Sequence, residues 1–212
     1  MVASHNQRAL VLEARGQPLN LADVPIPDAC PGSAIVGVLV TNIGPLTRRI
    51  LTGQIPVPLE PPVVPCAQTI GRIHALGPDS TSLDVGQLVF VDLFTRSRDN
   101  PDDAILQGYV GGSAASMKLM DAWKDGTFAQ YARMPLENIA PLNEELLGRY
   151  MFDRKHTLQL IKLLESGQLK LGSGDGSGVK VRTFKIEEVE EAMDAAEREL
   201  RWGDQVVLDI GQ

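Results

Sequence analysis

The chain has 212 residues, of which 43% are hydrophobic and 22% charged, so its apolar content suffices for one domain or two small ones. Its 20 basic and 27 acidic residues give a net charge of -7, and the acidic residues are spread along the chain. A general electrostatic attraction to nucleic acid is therefore excluded as the basis of function.

The same inventory argues against membrane and secretory classes. No apolar run approaches the roughly 20 residues that span a bilayer, and residues 1–8 lack the apolar centre of a signal peptide. Two cysteines, Cys30 and Cys66, cannot form a disulfide framework. We expect a cytoplasmic protein with reduced thiols, no membrane contact and no nucleic-acid partner.

Short β-rich segments separated by glycine and proline fill the first part of the chain, a pattern typical of an all-β barrel or sandwich. The predicted strands are Ala9–Glu13, Ala34–Thr41, Thr69–Ile73, Gln87–Asp92 and Thr127–Ala132. Residues 98–124 differ, because a helix-starting turn at 100–103 is followed by Gly111-Gly112. This segment is predicted to leave the barrel and to form one or two short helices.

After Tyr150 the pattern changes to alternating helix and strand. Asp153 is suited to cap a helix with apolar residues at helical spacing, and the glycine-rich residues 172–178 indicate a flexible link. The later predicted elements are a strand at Val179–Phe184, a helix with apolar residues at 189, 192, 193 and 196, and a strand at Gln205–Ile210. Residues 1–149 are thus interpreted as the barrel, and residues 150–212 as a helix-strand-helix-strand unit that completes the same domain.

Five segments, in order and spacing, resemble the substrate domain of the medium-chain dehydrogenase/reductase superfamily. They are Asn42–Arg48, Gly71–Gly77, Val85–Val89, Gly126–Ala132 and the C-terminal stretch from Ile161 to Leu208. The resemblance implies a mainly β fold with α (α+β), a GroES-like partly open β-barrel with flanking helices. Through Leu88–Asp92 and Tyr150–Phe152 the chain is most similar to fungal zinc-free members that accompany small-molecule biosynthesis.

The nucleotide-binding domain of that superfamily has no counterpart in this sequence. The family inserts it where this chain has only Leu142–Phe152, far fewer than the roughly 30 residues of a single βαβ unit. The sequence contains no G-x-G-x-x-G, and residues 172–178 follow a predicted helix with the wrong spacing. We therefore expect no Rossmann domain, no cofactor and no independent hydride transfer.

The resemblance also implies that zinc is absent. Zinc members of the superfamily carry a cysteine where this chain has Ile43-Gly44, and Gly-His-Glu within the stretch that reads Pro65–Thr69 here. Glycine, alanine and amide side chains cannot replace thiolate, imidazole and carboxylate ligands. Cys66 is offset from the ligand position and is better interpreted as a small buried residue. Zinc-free quinone and enone reductases lack these ligands too, so their loss alone does not exclude catalysis.

Three segments form the substrate cleft in the full-length relatives, and here they correspond to residues 42–48, 92–99 and 150–156. The candidate catalytic residues are Arg96, Asp99, Tyr109, Tyr150 and His156. The candidate substrate-binding residues are Asn42, Arg48, Asp92, Phe94, Trp123, Met151 and Phe152. Solvated ion pairs in the second segment, core packing of Phe94 and Met151, and i,i+3 pairing of His156 remain open alternatives.

The sequence favours a cofactor-independent, redox-neutral enzyme of the cyclase or isomerase type, acting on an apolar small molecule of secondary metabolism. Two alternatives stay open: a non-catalytic pseudo-dehydrogenase that binds a ligand or partner, and a fragment of an NADPH-dependent oxidoreductase. The surface that a nucleotide domain covers in the family would leave an apolar patch here, which predicts a possible homodimer across that face.

Overall fold

The fold is built mainly from β-strands. The computed structural model describes residues 6–100, 102–142, 162, 180–198 and 204–211. The strands are β1 (Asn6–Val11), β2 (Asn20–Pro25), β3 (Ser33–Ile43), β4 (Thr69–Leu76), β5 (Leu88–Val91), β6 (Phe94–Arg96), β7 (Ala104–Leu106), β8 (Tyr131–Pro135), β9 (Ile139–Pro141), β10 (Val181–Lys185) and β11 (Gln205–Asp209). The helices are α1 (Thr47–Leu51), α2 (Ala114–Ala122) and α3 (Val189–Arg198).

Strand β3 is the central strand of a seven-stranded sheet with the order β10-β11-β3-β4-β5-β9, to which β8 adds beside β3. All the pairings of β3, with β4, β8 and β11, are antiparallel. Its first half pairs with β8 and its second half with β11. The nearly continuous apolar run Ala34–Val40 suits a strand that is covered on both faces.

The β1–β2 hairpin lies against the segment that precedes β8. Ala9 forms an isolated antiparallel bridge with Ala129, and the Leu10 N–H donates to the Phe128 carbonyl at 2.8 Å. The Val38 N–H donates to the Gln130 carbonyl at 2.8 Å, so the segment links the hairpin to β3. This arrangement gives the partly open barrel its second layer.

The C-terminal strands and α3 belong to the same hydrophobic core as the barrel. Strand β10 pairs in parallel with β11, as is usual for two strands joined through a helix. Helix α3 buries Val189, Ala192, Met193 and Ala196, which recur at helical spacing. Val206 and Leu208 of β11 are fully buried in the cluster that also contains residues of β1 and β3.

The mainly β fold with flanking helices is confirmed, and most strand boundaries shift by only a few residues. The segment predicted as a strand at Thr127–Ala132 differs, because regular strand begins only at Tyr131. The Phe128 N–H donates instead to the Pro65 carbonyl at 3.0 Å, which ties this stretch to the 62–67 segment. Residues 98–124 contain one helix, α2, and also the strand β7.

Of the predicted helix that starts at Asp153 the structure describes only residue 162, which is helical, and the predicted link at 172–178 lies outside the described residues. Within the described helices, none combines the length and apolarity that a bilayer crossing requires.

Candidate functional site

Asp92 directly follows β5, and its carboxyl is half-buried. Burial raises the pKa of this carboxyl above its ordinary value, although the backbone N–H groups of Phe94 and Leu93 act in the opposite direction. The backbone around Asp92 is fixed by Asn138. The Asp92 N–H donates to the Asn138 carbonyl at 3.0 Å, and Asn138 Nδ2 donates back to the Asp92 carbonyl at 2.8 Å.

Gln68 brings a buried amide to this carboxyl. Its side chain is only 8% exposed, and the Asn42 N–H donates to its backbone carbonyl at 2.9 Å. The amide interacts with Asp92 closely enough to lower the pKa of that carboxyl slightly. This contact is not a well-formed hydrogen bond, because Gln68 Nε2 has no partner with hydrogen-bonding geometry among the described residues, Asp92 included. A buried amide with an unused donor is unfavourable unless something accepts from it.

Three buried threonines stiffen the backbone beside Gln68. The Thr69 hydroxyl lies 2.9 Å from that of Thr41, which lies 3.1 Å from that of Thr127. The Thr127 hydroxyl accepts from the Ala67 N–H at 3.1 Å and lies 3.0 Å from its carbonyl oxygen. The backbone that carries Gln68 is therefore held by a hydrogen-bonded network that spans β3, β4 and the segment before β8.

Cys66 and Tyr109 are buried neighbours of this site with no acid or base role near neutrality. Burial raises the pKa of the Cys66 thiol to about 12. Burial also raises the pKa of the Tyr109 phenol far above its ordinary value, and its hydroxyl lies 3.3 Å from that of Thr47. The structure places the Tyr109 side chain inside the core, and its catalytic role stays a prediction.

Arg48 is bound by the carboxylates of α3 rather than directed at a substrate. Its guanidinium donates to Glu190 Oε2 at 2.9 Å, to the Glu190 carbonyl at 2.8 Å and to Asp194 Oδ1 at 2.7 Å. Arg48 thereby joins α1 to α3, and its substrate-binding role stays a prediction.

The polar residues after β5 do not surround Asp92. Arg96 is exposed and its guanidinium lies 4.6 Å from the centre of the Phe94 ring. Asp99 is exposed, and a hydrogen bond from the Ser97 hydroxyl lowers the pKa of its carboxyl. Of the predicted residues, the structure thus brings Asp92 and the backbone of Asn42 together at Gln68.

Trp123 lies at a different place. It lines a cavity with residues of the β1–β2 hairpin and β8, and neither Asp92 nor Gln68 lines that cavity. Four predicted site residues, Tyr150, Met151, Phe152 and His156, lie outside the described residues.

Sequence reasoning missed Gln68, which it treated only as a lost metal position. The available signal was an amide flanked by buried residues on both sides, since an amide inside a core needs a partner.

The described residues do not suit the zinc that this fold carries elsewhere. No group of three or more His, Cys, Asp or Glu side chains among them is placed to hold a metal ion. Cys66 Sγ lies 3.6 Å from the Thr127 hydroxyl, and His74 stacks on Tyr131 with ring centres 4.6 Å apart. In the described sheets, the one parallel strand pair, β10–β11, has no glycine-rich phosphate turn after β10.

Comparison with solved structures shows the same fold in dehydrogenases. A thermostable alcohol dehydrogenase from Pyrobaculum aerophilum superposes with a TM-score of 0.73 at 13% identity, over 97% of this chain and 100% of that one. The human synaptic vesicle membrane protein VAT-1 homolog-like protein gives 0.69 at 14% identity, over 99% of each chain. At such identities the likeness concerns the fold alone.

Sequence comparison identifies the family. A zinc-type alcohol dehydrogenase-like protein of Schizosaccharomyces pombe is 29% identical over 116 residues, which cover 53% of this chain and 31% of the relative. An alcohol dehydrogenase of Rhizobium meliloti is 30% identical over 83 residues, 39% of this chain and 24% of the relative. The matched stretches thus cover less than a third of either relative. Residues 30–144 match the alcohol dehydrogenase GroES-like domain. The chain therefore belongs to the GroES-like alcohol dehydrogenase family of the medium-chain dehydrogenase/reductase superfamily.

Proposed function

We propose that this chain is a redox-neutral enzyme of the isomerase or cyclase type, which moves a proton on an apolar small molecule without a nicotinamide. The observation that carries the proposal is the half-buried Asp92 carboxyl, with its raised pKa, beside the buried Gln68 amide that has an unused donor. A carboxyl whose pKa is raised toward neutrality is suited to general acid–base work.

The two groups divide the chemistry of a carbonyl substrate between them. Asp92 removes a proton from the carbon next to the carbonyl, and the electron pair of that C–H bond forms the enolate. Gln68 Nε2 donates to the enolate oxygen, where negative charge develops. In a β,γ-unsaturated carbonyl substrate the enolate is conjugated with the C=C bond and shares its charge with the γ-carbon. Asp92 then returns the proton to that γ-carbon, the double bond moves into conjugation with the carbonyl, and the substrate is isomerised with no net oxidation.

The environment of the pair favours this division of roles. The threonine network holds the Ala67–Thr69 backbone, so the Gln68 donor does not have to reorganise when charge develops. Asn138 holds the Asp92 backbone from the other side. Pre-set donors and acceptors of this kind contribute more to rate than mobile surface groups.

The test is hydrogen exchange at an enolisable carbon, with 1-tetralone as a flat apolar probe. In D₂O the native chain is expected to accelerate loss of the α-proton signal in the NMR spectrum over buffer alone. Asp92→Asn should slow this exchange by about 10²-fold or more, and Gln68→Leu by about 10²-fold. Asp99→Asn, which changes an exposed carboxyl outside the site, is the matched control and should exchange like the native chain.

Two results would contradict the proposal: exchange no faster than in buffer, or undiminished exchange with Asp92→Asn. A calorimetric titration with NADPH and NADH addresses the oxidoreductase alternative separately. We expect that neither nucleotide binds at micromolar concentrations. Binding at such concentrations would favour the oxidoreductase alternative.

A further inference from the structure

A cavity of about 560 Å³ lies between the β1–β2 hairpin, the 62–64 segment and the end of α2. Its lining includes Val24, Pro25, Pro62, Trp123, Lys124 and Arg133. The volume lies within the range of about 300–1,000 Å³ that is usual for small-molecule sites. Since neither Asp92 nor Gln68 lines this cavity, it is separate from the proposed catalytic pair.

Two buried glutamines hold the walls of the cavity in place. Gln7 Oε1 accepts from the Tyr131 N–H at 2.6 Å, which joins β1 to β8. Gln107 Nε2 donates to the Asp125 carbonyl at 2.7 Å and to the Arg133 carbonyl at 3.2 Å. Because both amides are buried and bonded, the shape of the cavity exists without a ligand.

Trp123 and Arg133 give the cavity an aromatic face beside a positioned cation. The Arg133 Cζ lies 5.7 Å from the centre of the Trp123 ring, within cation–π range. One Arg133 N–H group donates to the Ala122 carbonyl at 3.1 Å. The planar guanidinium has five N–H donors, so this single bond leaves donors for an oxygen acceptor.

The charges around the cavity differ in burial. Lys124 and Arg133 are half-buried, whereas Asp28, Asp121 and Asp125 are exposed. Asp125 Oδ1 already accepts from the Val64 N–H at 2.9 Å. Water and salt weaken exposed charges more than half-buried ones, so the three carboxylates oppose the two cations less than their number suggests.

We propose that this cavity is a second binding site, which takes a planar aromatic molecule carrying one carboxylate. The ring packs on Trp123 and the apolar wall formed by Val24, Pro25 and Pro62. The carboxylate accepts from the Arg133 guanidinium, and Lys124 adds a second positive charge.

The test is calorimetric titration of the whole chain with 2-naphthoate, with the uncharged 2-naphthylmethanol as the matched probe. For a probe of this size we expect a Kd on the order of 1 mM or below. Arg133→Gln should weaken naphthoate binding about tenfold and change naphthylmethanol binding by less than about twofold. Trp123→Leu should weaken both probes, because it removes the aromatic face.

Circular dichroism melting curves establish that each variant is folded before titration. Asp92→Asn should bind naphthoate like the native chain, which separates this site from the proposed catalytic pair. The proposal is overturned if the native chain gives no binding heat at several times the expected Kd. It is also overturned if Arg133→Gln leaves naphthoate binding unchanged, or if Asp92→Asn weakens it as much as Arg133→Gln does.

Discussion

The buried Asp92 carboxyl, which is the centre of the proposed chemistry, also lowers the stability of the fold. Because burial raises its pKa in the folded chain, the fold favours the protonated form. Folding stability is therefore lost as the pH rises from the ordinary value of 3.8 through the raised pKa of the folded state. Active sites commonly contain groups that are unfavourable for folding in this way.

Asp92→Asn should accordingly be more stable than the native chain at pH 7, with a difference that shrinks toward pH 4 and vanishes below it. The reason is that asparagine keeps the shape of the side chain and carries no charge to bury. Urea unfolding at a series of pH values measures the difference. Asp99→Asn is the control, and its change in unfolding free energy should have the opposite sign. The reason is that a hydrogen bond from Ser97 lowers the pKa of that exposed carboxyl. Equal unfolding free energies for Asp92→Asn and the native chain at every pH would contradict this account.

The sequence indicated part of the candidate site, and the surroundings of the other predicted residues could not be predicted for a physical reason. Asp92 was predicted because the resemblance maps a cleft segment of the full-length relatives onto residues 92–99, which begin at the end of a predicted strand. The burial of Tyr109 depends on packing against Thr47, 62 positions earlier in the chain, and no local pattern reports it. The same holds for Arg48, whose partners Glu190 and Asp194 lie on a helix near the other end of the sequence.

At the scale of elements, Arg48 joins α1 to α3 and thereby connects the loop after β3 to the C-terminal helix. Its side chain is 26% exposed, and its partners Glu190 and Asp194 are about half exposed. Hydrogen bonds between charged groups in such partly buried settings are stronger than surface ion pairs. The link fixes α3 against the barrel in addition to its apolar face.

Arg48→Gln should lower the free energy of unfolding by about 1–2 kcal/mol and should increase hydrogen exchange of the α3 amides. Urea unfolding and hydrogen–deuterium exchange with mass spectrometry measure the two effects. Arg49→Gln is the matched control, because Arg49 is the exposed neighbour, and its effect should stay within about 0.5 kcal/mol. Equal protection of α3 in both variants would show that apolar packing alone holds the helix.

Strands whose sequences alternate apolar and polar residues, or contain a continuous apolar run, were predictable. Strands whose sequences show neither pattern were not. The run Ala34–Val40 identified β3 within a few residues. Strand β2 was missed, because most of its residues are exposed and only its pairing with β1 makes it a strand. The short β6 and β7 likewise exist through pairing with each other, and three residues are too few to show a period.

At the scale of the whole molecule, the resemblance to the superfamily implies a face beside residues 42–48 that a nucleotide domain covers in full-length members. Leu46, at the start of α1, is 49% exposed. An exposed leucine at the edge of a site favours contact with another apolar surface when it is part of a larger patch. We propose that two copies of the chain pair across this face.

Sedimentation equilibrium should therefore give twice the chain mass of 23.0 kDa at micromolar concentrations. Leu46→Glu should shift the equilibrium to monomer, because it would place a charge inside the apolar contact. Val85→Glu is the control, since Val85 is 66% exposed in the turn before β5. A native chain that sediments as a monomer throughout this range would exclude the pairing.

The position of β11 beside β3 determines when the sheet can close during synthesis. Val206–Asp209 form the pairs with Val40–Ile43, so one partner of the central strand is translated some 160 residues after the strand itself. Until those residues leave the ribosome, the nascent chain exposes half of one edge of its most apolar strand. Such an edge is a template for wrong pairing until β11 has been made.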